Sequence, residues 1–371
     1  MHTDFAVGLA VALDIGGTKI AGALVDGGGR VRYRSQRPTP AREAGETVMR
    51  AVEDVLADLA ASPLWDAAEA VGIGSAGPVD ASQGTVSPVN VPGWRGYPLV
   101  DRVRRVTGGR PVTLVGDGVA MTAAEHWVGA ARGHDNALCL VVSTGVGGGL
   151  VLGGRVHPGP TGNAGHIGHI VVDLDGDPCA CGARGCVERL ASGPHLARRA
   201  LENGWRPGPD GDVSAAAVAT AAHAGDPVAL ASFERAAQAL AAGIAATAAL
   251  VEIDIAVVGG GVAGAGEVLF APLRRSLATY ATLSFTRNLT VVPALTGTDA
   301  GLLGAAAAAT RARDGGPWTA FGTGAGSGEG AGPGAGAGPG ASAGADHASG
   351  TGAGTGTGIG APSDTGAGSG G

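Results

Sequence analysis

The sequence is poor in aromatic residues and has no excess of positive charge. Of its 371 residues, 4 % are aromatic, and Lys and Arg together number 25 against 32 Asp and Glu. The formal net charge is −7, and no basic stripe stands out. Because nucleic acids bind through clustered Lys and Arg, we expect no nucleic-acid partner.

The sequence also lacks a long uninterrupted apolar run. The Ala-rich residues 227–251 contain Glu234 and Arg235, so we expect a buried helix there instead of a membrane span. Residues 1–12 carry Asp4 and lack the basic start and cleavage site of a signal peptide, which favours a strand. These absences predict a cytoplasmic protein without a membrane partner.

Composition changes near the C-terminal end of the chain. From about residue 315 onward Gly, Ala, Ser, Thr and Pro dominate, and such a segment buries too little apolar surface to offset its ordering entropy. Residues 315–371 are therefore predicted to be a disordered tail. We expect an N-terminal α/β domain at residues 1–117 and a C-terminal α/β domain at residues 118–313, whose last helix packs back on the first domain.

A strand, a glycine turn and a second strand open each half of the chain. Residues 5–14 and 21–26 form this unit in the first half, and residues 137–143 begin it again in the second, where residues 148–152 and Val156 are expected to continue as a hairpin. This predicts a duplicated architecture without a repeated sequence. Further predicted strands cover residues 30–37, 70–75, 112–115, 254–258 and 289–293, and predicted helices cover residues 43–61, 120–131, 227–251, 267–280 and 301–313.

Two glycine-rich turns, at residues 14–19 and 144–149, contain the residue types of polyphosphate-binding loops. Glycines let backbone N–H groups approach phosphate, and the first turn adds a Thr hydroxyl and an Asp that can hold Mg²⁺ through water. The first turn is too specific for an ordinary hairpin, whereas the second taken alone could equally be a plain turn. Together they predict a nucleotide held between two domains, with contacts from Asp14, Gly16, Gly17, Thr18, Lys19, Thr144 and Gly145.

Two other segments match the dinucleotide fingerprint G-x-G-x-x-G. Residues 72–77 lead into Pro78 instead of a helix, so the context that this fingerprint requires is missing. Residues 259–264 lie between a strand and a helix, but no Asp or Glu ends the next strand to contact a ribose. We therefore expect this turn to face the adenosine of ATP, through Gly259, Gly260 and Gly261.

Cysteine is scarce, and three of the four cysteines are clustered within residues 179–186. Together with His169 they offer three thiolates and an imidazole, a set that suits tetrahedral Zn²⁺ and leaves no position for water, so the role should be structural. Disulfide pairing is the alternative, but it would leave one clustered cysteine over. Cys139 lies within a predicted strand and is expected to be a core residue. The predicted ligands are His169, Cys179, Cys181 and Cys186.

These motifs together resemble the ROK family of bacterial sugar kinases, sugar-responsive repressors and related open reading frames. The resemblance spans residues 5–313 and is carried by residues 14–19, 144–149, 162–169 (GNAGHIGH) and 179–188, the Cys-x-Cys-Gly-x-x-Gly-Cys-x-Glu segment. It implies an actin-like ATPase (ribonuclease H-like) fold, ATP with Mg²⁺, a structural zinc and a sugar in the interdomain cleft. It also suggests a homodimer or homotetramer.

The resemblance implies that Asp117 is the general base. Family kinases place this Asp within Asn-Asp-Ala-Asn, and the matching stretch here is residues 116–119. A carboxylate at a strand end that opens a helix suits an active site, although without the resemblance a simple helix N-cap is the favoured interpretation. The sugar contacts implied in the same way are Gly77, Asn90, Asp117, His166, His169 and Glu188.

Two positions depart from the family pattern, and both fall in the implied sugar pocket. Family kinases usually have Asn where this chain has Gly116, and Glu where it has His166. The implied reaction is ATP-dependent conversion of glucose to glucose 6-phosphate, with an N-acetylhexosamine or a sugar-like cyclitol as the alternative acceptor. A non-catalytic sugar-responsive regulator is disfavoured. Family repressors carry a helix-turn-helix segment ahead of the kinase-like part, and Asp14 is expected to be too close to Met1 for one.

Overall fold

The computed structural model describes residues 8–313, and its N-terminal part is a five-stranded mixed sheet. The sheet order is β3-β2-β1-β4-β7, and β5 and β6 form a small separate hairpin. The strands are β1 (Leu9–Ile15), β2 (Lys19–Val25), β3 (Val31–Pro38), β4 (Ala68–Ser75), β5 (Val79–Asp80), β6 (Thr85–Val86) and β7 (Val112–Gly116).

A second five-stranded sheet follows, in the order β10-β9-β8-β11-β12. Its strands are β8 (Ala137–Val142), β9 (Val146–Leu152), β10 (Arg155–His157), β11 (Ile255–Gly259) and β12 (Thr290–Pro293). In each sheet the first three strands pair antiparallel, and the first, fourth and fifth pair parallel. This repeated topology confirms the predicted actin-like α/β architecture and its internal duplication.

Helices cover the sheets and connect their strands. They are α1 (Gly45–Ala60), α2 (Leu99–Val106), α3 (Asp117–Val128), α4 (Val187–Ala191), α5 (Gly193–Glu202), α6 (Ala215–His223), α7 (Pro227–Val251), α8 (Glu267–Tyr280) and α9 (Ala300–Arg313). The α7 and α8 helices have the predicted bounds. Among the helices within residues 8–313, none combines the length and the apolar character needed to cross a membrane.

Small residues let α3 and α9 lie close together between the two sheets. A Cβ atom added at Gly304 of α9 would collide with the backbone of Ala120 in α3, and one added at Gly72 of β4 would collide with the backbone of Ala305. The buried alanines of both helices share one apolar cluster with residues of β1 and β8. As a result, α9, the last described helix, packs against β1 and β4 of the first sheet.

The predicted secondary structure differs from the observed structure at several places. The helix predicted at residues 120–131 begins at Asp117 and ends at Val128, because Ala130 directs its N–H to the Glu125 side chain of the last turn. The short α2, α4, α5 and α6 helices and the β5–β6 hairpin had no individual prediction. The strand start predicted at residues 5–7 and the tail at residues 315–371 lie outside the described residues.

Candidate functional site

The first of the predicted phosphate turns is only three residues long, since β1 ends at Ile15 and β2 begins at Lys19. The Gly16 N–H donates to the Lys19 carbonyl at 2.9 Å, which closes the turn. Gly17 lies so close to the Asn90 side chain that a Cβ atom would collide with it. Thr18 and Lys19 are exposed at the tip. The predicted sugar contact Asn90 therefore stands beside the predicted phosphate turn.

Asp14 lies at the end of β1, under the first turn of α9. A Cβ atom added at Gly301 would come within 2.6 Å of both Asp14 carboxylate oxygens. Burial raises the pKa of Asp14 to about 6; Lys19 opposes this rise, and the negative charge of Asp117 adds to it. The start of a helix favours a nearby negative charge. The carboxylates of Asp14 and Asp117 therefore lie close enough to interact electrostatically.

Asp117 is the first residue of α3 and lies against Gly147, one of the glycines that follow the second predicted turn. A Cβ atom on Gly147 would be 3.6 Å from its Oδ1 atom, which accepts a hydrogen bond from the Gly118 N–H at 2.7 Å. The residue keeps contact with solvent, yet many protein atoms lie around its carboxylate, and this burial raises its pKa. The Gly118 N–H and His166 oppose the rise in pKa, and Glu188 adds to it.

The second turn is shorter than predicted. Because β8 ends at Val142 and β9 begins at Val146, the turn is Ser143–Gly145, and the glycines at 147–149 belong to β9. Those glycines allow close contacts: a Cβ atom on Gly148 would be 2.8 Å from the Gly165 carbonyl oxygen. Thr144 is exposed at the tip. The predicted turn at residues 144–149 is therefore corrected to a tighter turn, followed by a strand that contains three consecutive glycines.

Glu188 supports this second turn. Its Oε2 atom accepts a hydrogen bond from the Val146 N–H at 2.8 Å, and a Cβ atom on Gly145 would lie 2.7 Å from the same oxygen. Glu188 also influences the pKa of Asp117. A residue implied as a sugar contact is thus placed between the turn and the implied base.

The third turn, which follows β11, lies next to the second. Gly260 has a φ of +88°, a conformation that favours glycine, and a Cβ atom there would collide with the Val142 backbone. A Cβ atom on Gly261 would be 3.7 Å from Ser143 Oγ. Gly259 is the last residue of β11. The predicted phosphate and adenosine turns are therefore adjacent, as they must be to bind the same nucleotide.

The two histidines of the segment 162–169 stack on each other. The ring centroids of His166 and His169 are 5.0 Å apart, and the planes differ by 13°. Burial lowers the pKa of His166, and His169 lowers it further, whereas Asp117 and Glu188 act in the opposite direction. Four implied sugar contacts, namely Asp117, His166, His169 and Glu188, are therefore brought together. Gly77 approaches the same segment, since a Cβ atom there would be 3.8 Å from Asn163 Oδ1.

The four predicted metal ligands form one cluster. Their ligand atoms all lie within 4.8 Å of one another, with Cys181 Sγ and Cys186 Sγ 3.7 Å apart and Cys179 Sγ 3.8 Å from His169 Nδ1. Burial, reinforced by the neighbouring sulfurs, raises the pKa of Cys186 to about 12, so a bound cation would be needed to keep all three thiols ionised. This donor set fits tetrahedral zinc.

Asn163 lies within the GNAGHIGH segment, but the sequence predicts no role for it. Its Oδ1 accepts from the Val79 N–H at 3.2 Å, and its Nδ2 donates to the Val79 carbonyl at 2.7 Å. Val79 follows the Gly77 loop, so this side chain connects the two loops that carry implied sugar contacts. An Asn between Gly162 and Ala164 was the only signal in the sequence, and it does not identify a partner.

Comparison with known proteins shows which family this chain belongs to. The sequence matches the ROK family over residues 10–312. The glucokinase of Thermotoga maritima is 36% identical over 310 residues, which cover 80% of this chain and 95% of that protein, and the N-acetylmannosamine kinase of Yersinia pseudotuberculosis is 37% identical over 300 residues, which cover 81% and 98%. The structure of a ROK family glucokinase from Streptomyces griseus in complex with glucose and AMPPNP superimposes with a TM-score of 0.70 at 36% identity, over 82% of this chain and 100% of that one. The resemblance inferred from the motifs is confirmed, and the chain belongs to the ROK family.

Proposed function

We propose that this protein is an ATP-dependent sugar kinase that phosphorylates a hexose, with glucose as the first candidate and glucose 6-phosphate as its product. The observation that carries the proposal is the position of Asp117, a carboxylate from the first half of the chain, beside Gly147 of the second half. A general base at that position reaches the cleft in which two glycine turns meet. The glucokinase relatives support this acceptor class.

In the proposed reaction Asp117 accepts the proton of the sugar hydroxyl while that oxygen attacks the γ-phosphorus of ATP. An oxygen–phosphorus bond forms to the sugar, the bond from the γ-phosphorus to the bridging oxygen breaks, and ADP leaves with the electron pair. The burial that raises the pKa of Asp117 suits this task, because a base is most effective when its pKa lies near the working pH. The backbone N–H groups of the glycine turns would orient the phosphates.

Asp14 would hold Mg²⁺ through water, and this ion, when bound, neutralises charge on the phosphates. His169, Cys179, Cys181 and Cys186 would hold a structural zinc, which needs no open coordination position. His169 would then connect the zinc to the sugar pocket, because its ring stacks on His166. A metal-bound His uses its second ring nitrogen to bind a neighbour, here a sugar hydroxyl.

An N-acetylhexosamine or a cyclitol is the second candidate acceptor. A Cβ atom on Gly116 would be 3.2 Å from the Gly162 carbonyl oxygen, so backbone borders the pocket where family kinases carry an Asn side chain. Together with His166, this difference alters the hydrogen-bonding groups that meet the ring. The N-acetylmannosamine kinase relatives favour keeping this alternative.

The test is an ATP-coupled screen of hexoses, N-acetylhexosamines and cyclitols, followed by the variant Asp117→Asn. We expect this variant to lower kcat roughly 10²- to 10⁴-fold without changing the metal content or lowering the melting temperature. Asp101→Asn, an exposed Asp on α2, is the matched control and should keep full activity. An active Asp117→Asn variant would refute the base assignment. Sugar binding by the wild-type protein without turnover of any acceptor would instead favour the regulator.

The cytoplasm is the proposed location, because ATP and sugar phosphates are available there. The state expected from the family, a homodimer or homotetramer, stays a prediction, and sedimentation velocity of the purified protein tests it.

A further inference from the structure

Glu125 is a fully buried carboxylate on α3, eight residues after Asp117. Its Oε1 atom accepts hydrogen bonds from the Leu295 N–H at 3.0 Å, the Thr296 N–H at 2.8 Å and the Thr296 hydroxyl at 2.5 Å. Its Oε2 atom accepts from the Ala130 N–H at 2.7 Å and, more weakly, from Leu295 at 3.2 Å. The proposed kinase mechanism does not use this residue.

The loop that Glu125 binds leads directly into α9. After Thr296 the chain passes through Gly297, with a φ of +56°, and Asp299 before the helix begins. The second residue of α9, Gly301, lies against the carboxylate of Asp14. The hydrogen bonds of Glu125 therefore join the helix that begins with Asp117 to the segment that covers Asp14.

Apolar packing does little to hold this loop. The Leu295 side chain is 71% exposed, and the turn at Gly297–Asp299 has no buried residue. Directional hydrogen bonds to a buried carboxylate are stronger than those to a neutral acceptor. The segment that precedes α9 is thus held by the hydrogen bonds of Glu125 and by the ion pair between Asp299 and Arg34 of β3, while α9 itself packs against α3, β1 and β4.

We infer that Glu125 is a positioning residue. It fixes the start of α9, which lies over Asp14, and so maintains the relative position of the Asp14 and Asp117 carboxylates. The inference rests on the proposed kinase function. In phosphoryl transfer the barrier depends mainly on alignment, so a small shift of one group lowers the rate of the step more than it weakens sugar binding.

A merely structural role makes a different prediction. If Glu125 only stabilises the fold, its loss lowers the melting temperature, but the folded fraction keeps the wild-type kcat. If it positions the site, kcat falls at temperatures at which every variant is folded, KM for the sugar changes little, and the apparent affinity for Mg·ATP weakens because the surroundings of Asp14 have moved.

The experiment uses the full chain with three substitutions. Glu125→Gln keeps the side-chain shape but removes the charge, Thr296→Val removes only the hydroxyl, and Thr296→Ser keeps it. We expect kcat to fall roughly 10- to 100-fold in Glu125→Gln and less in Thr296→Val, whereas Thr296→Ser should match the wild type. Should Glu125→Gln fail to fold, the Thr296 pair decides, because valine and threonine have nearly the same shape.

Folded Glu125→Gln and Thr296→Val variants with wild-type kcat and Mg·ATP affinity overturn the inference, whatever their melting temperatures. A wild-type protein that phosphorylates no acceptor refutes the proposed kinase function instead. In that case Mg·ATP affinity, measured by calorimetry, decides the present inference: Thr296→Val must weaken it, Thr296→Ser must not, and equal affinities overturn it.

Discussion

The side chain of Asn163 hydrogen-bonds both backbone polar groups of Val79, at 3.2 Å and 2.7 Å. Asn163 belongs to the second half of the chain, yet its side chain hydrogen-bonds Val79 of the first half in the way that a neighbouring strand would. A third hydrogen bond, from the Ala81 N–H to the Thr161 carbonyl at 3.0 Å, follows the same line. The loops that carry Gly77 and His166 are thereby held together across the cleft.

Removal of this connection should weaken sugar recognition. Asn163→Ala deletes the two hydrogen bonds to Val79, worth about 1 kcal/mol each, together with the local ones to Thr161, so we expect kcat/KM for the sugar to fall about 10- to 30-fold, mainly through KM. Asn136→Ala is the matched control, since Asn136 also accepts a backbone N–H, that of Gly153 at 3.0 Å, but away from the cleft. Steady-state kinetics provide the measurement. Equal kcat/KM values for Asn163→Ala and Asn136→Ala would show that the hydrogen bonds between Asn163 and Val79 do not contribute to sugar recognition.

Asp14 should make the protein less stable as the pH rises. Its pKa is about 6 in the folded chain against 3.8 for an ordinary Asp, so folding favours the neutral form. The stability that this preference contributes is complete below pH 3.8 and is lost as the pH rises through about 6. Asp14→Asn should therefore raise the free energy of unfolding at pH 8 by about 1 to 3 kcal/mol, allowing for solvent screening, with little gain near pH 4.

Urea unfolding at both pH values measures this difference. The same variant should lose phosphoryl transfer, because it no longer offers a carboxylate to Mg²⁺. A stability gain that is equal at pH 4 and pH 8 would show that the Asp14 charge is not its source.

The chain contains a single lysine, Lys19, and it is exposed at the first phosphate turn. A lysine acylating reagent therefore modifies one side chain, apart from the terminal amine, which serves as an internal control. We expect Mg·ATP to slow acylation of Lys19 at least several-fold, because the phosphates would cover the turn, and adenosine to have no effect. Mass spectrometry of the tryptic peptide measures both rates. Equal rates with and without Mg·ATP would place the phosphates elsewhere.

The thiol cluster should bind one zinc ion per chain. Cys181→Ala removes one of the four ligands and should lower both the zinc content and the melting temperature, because a structural site contributes its binding energy to folding. Cys139→Ala, in the buried strand β8, should keep the zinc. Elemental analysis of both purified variants tests this, and full zinc occupancy in Cys181→Ala would exclude the cluster as the site.

Sequence patterns predict the elements of this protein well where neighbouring residues decide the outcome. The helices Pro227–Val251 and Glu267–Tyr280 have the bounds expected from the sequence. The start of the strand expected at residues 148–152 was predicted less well: it begins at Val146, because Val146 and Gly147 also pair with β8, and pairing of strands depends on residues elsewhere. The three clustered cysteines could be recognised for the same local reason, since they lie within eight positions of one another.

The sequence by itself determined the positions of the glycine turns, the duplicated order of strands and helices, and the residue types of the predicted metal cluster, because each of these depends on spacing along the chain. Tertiary structure alone decided that Asp117 lies against Gly147, that Asn163 binds Val79, and that Glu125 reaches Thr296, 171 positions away. The physical reason is that a hydrogen bond between distant segments leaves no periodic trace in the sequence: a lone Asn or Glu marks a possible partner, and only the packing of two sheets on α3 and α9 determines which partner it meets.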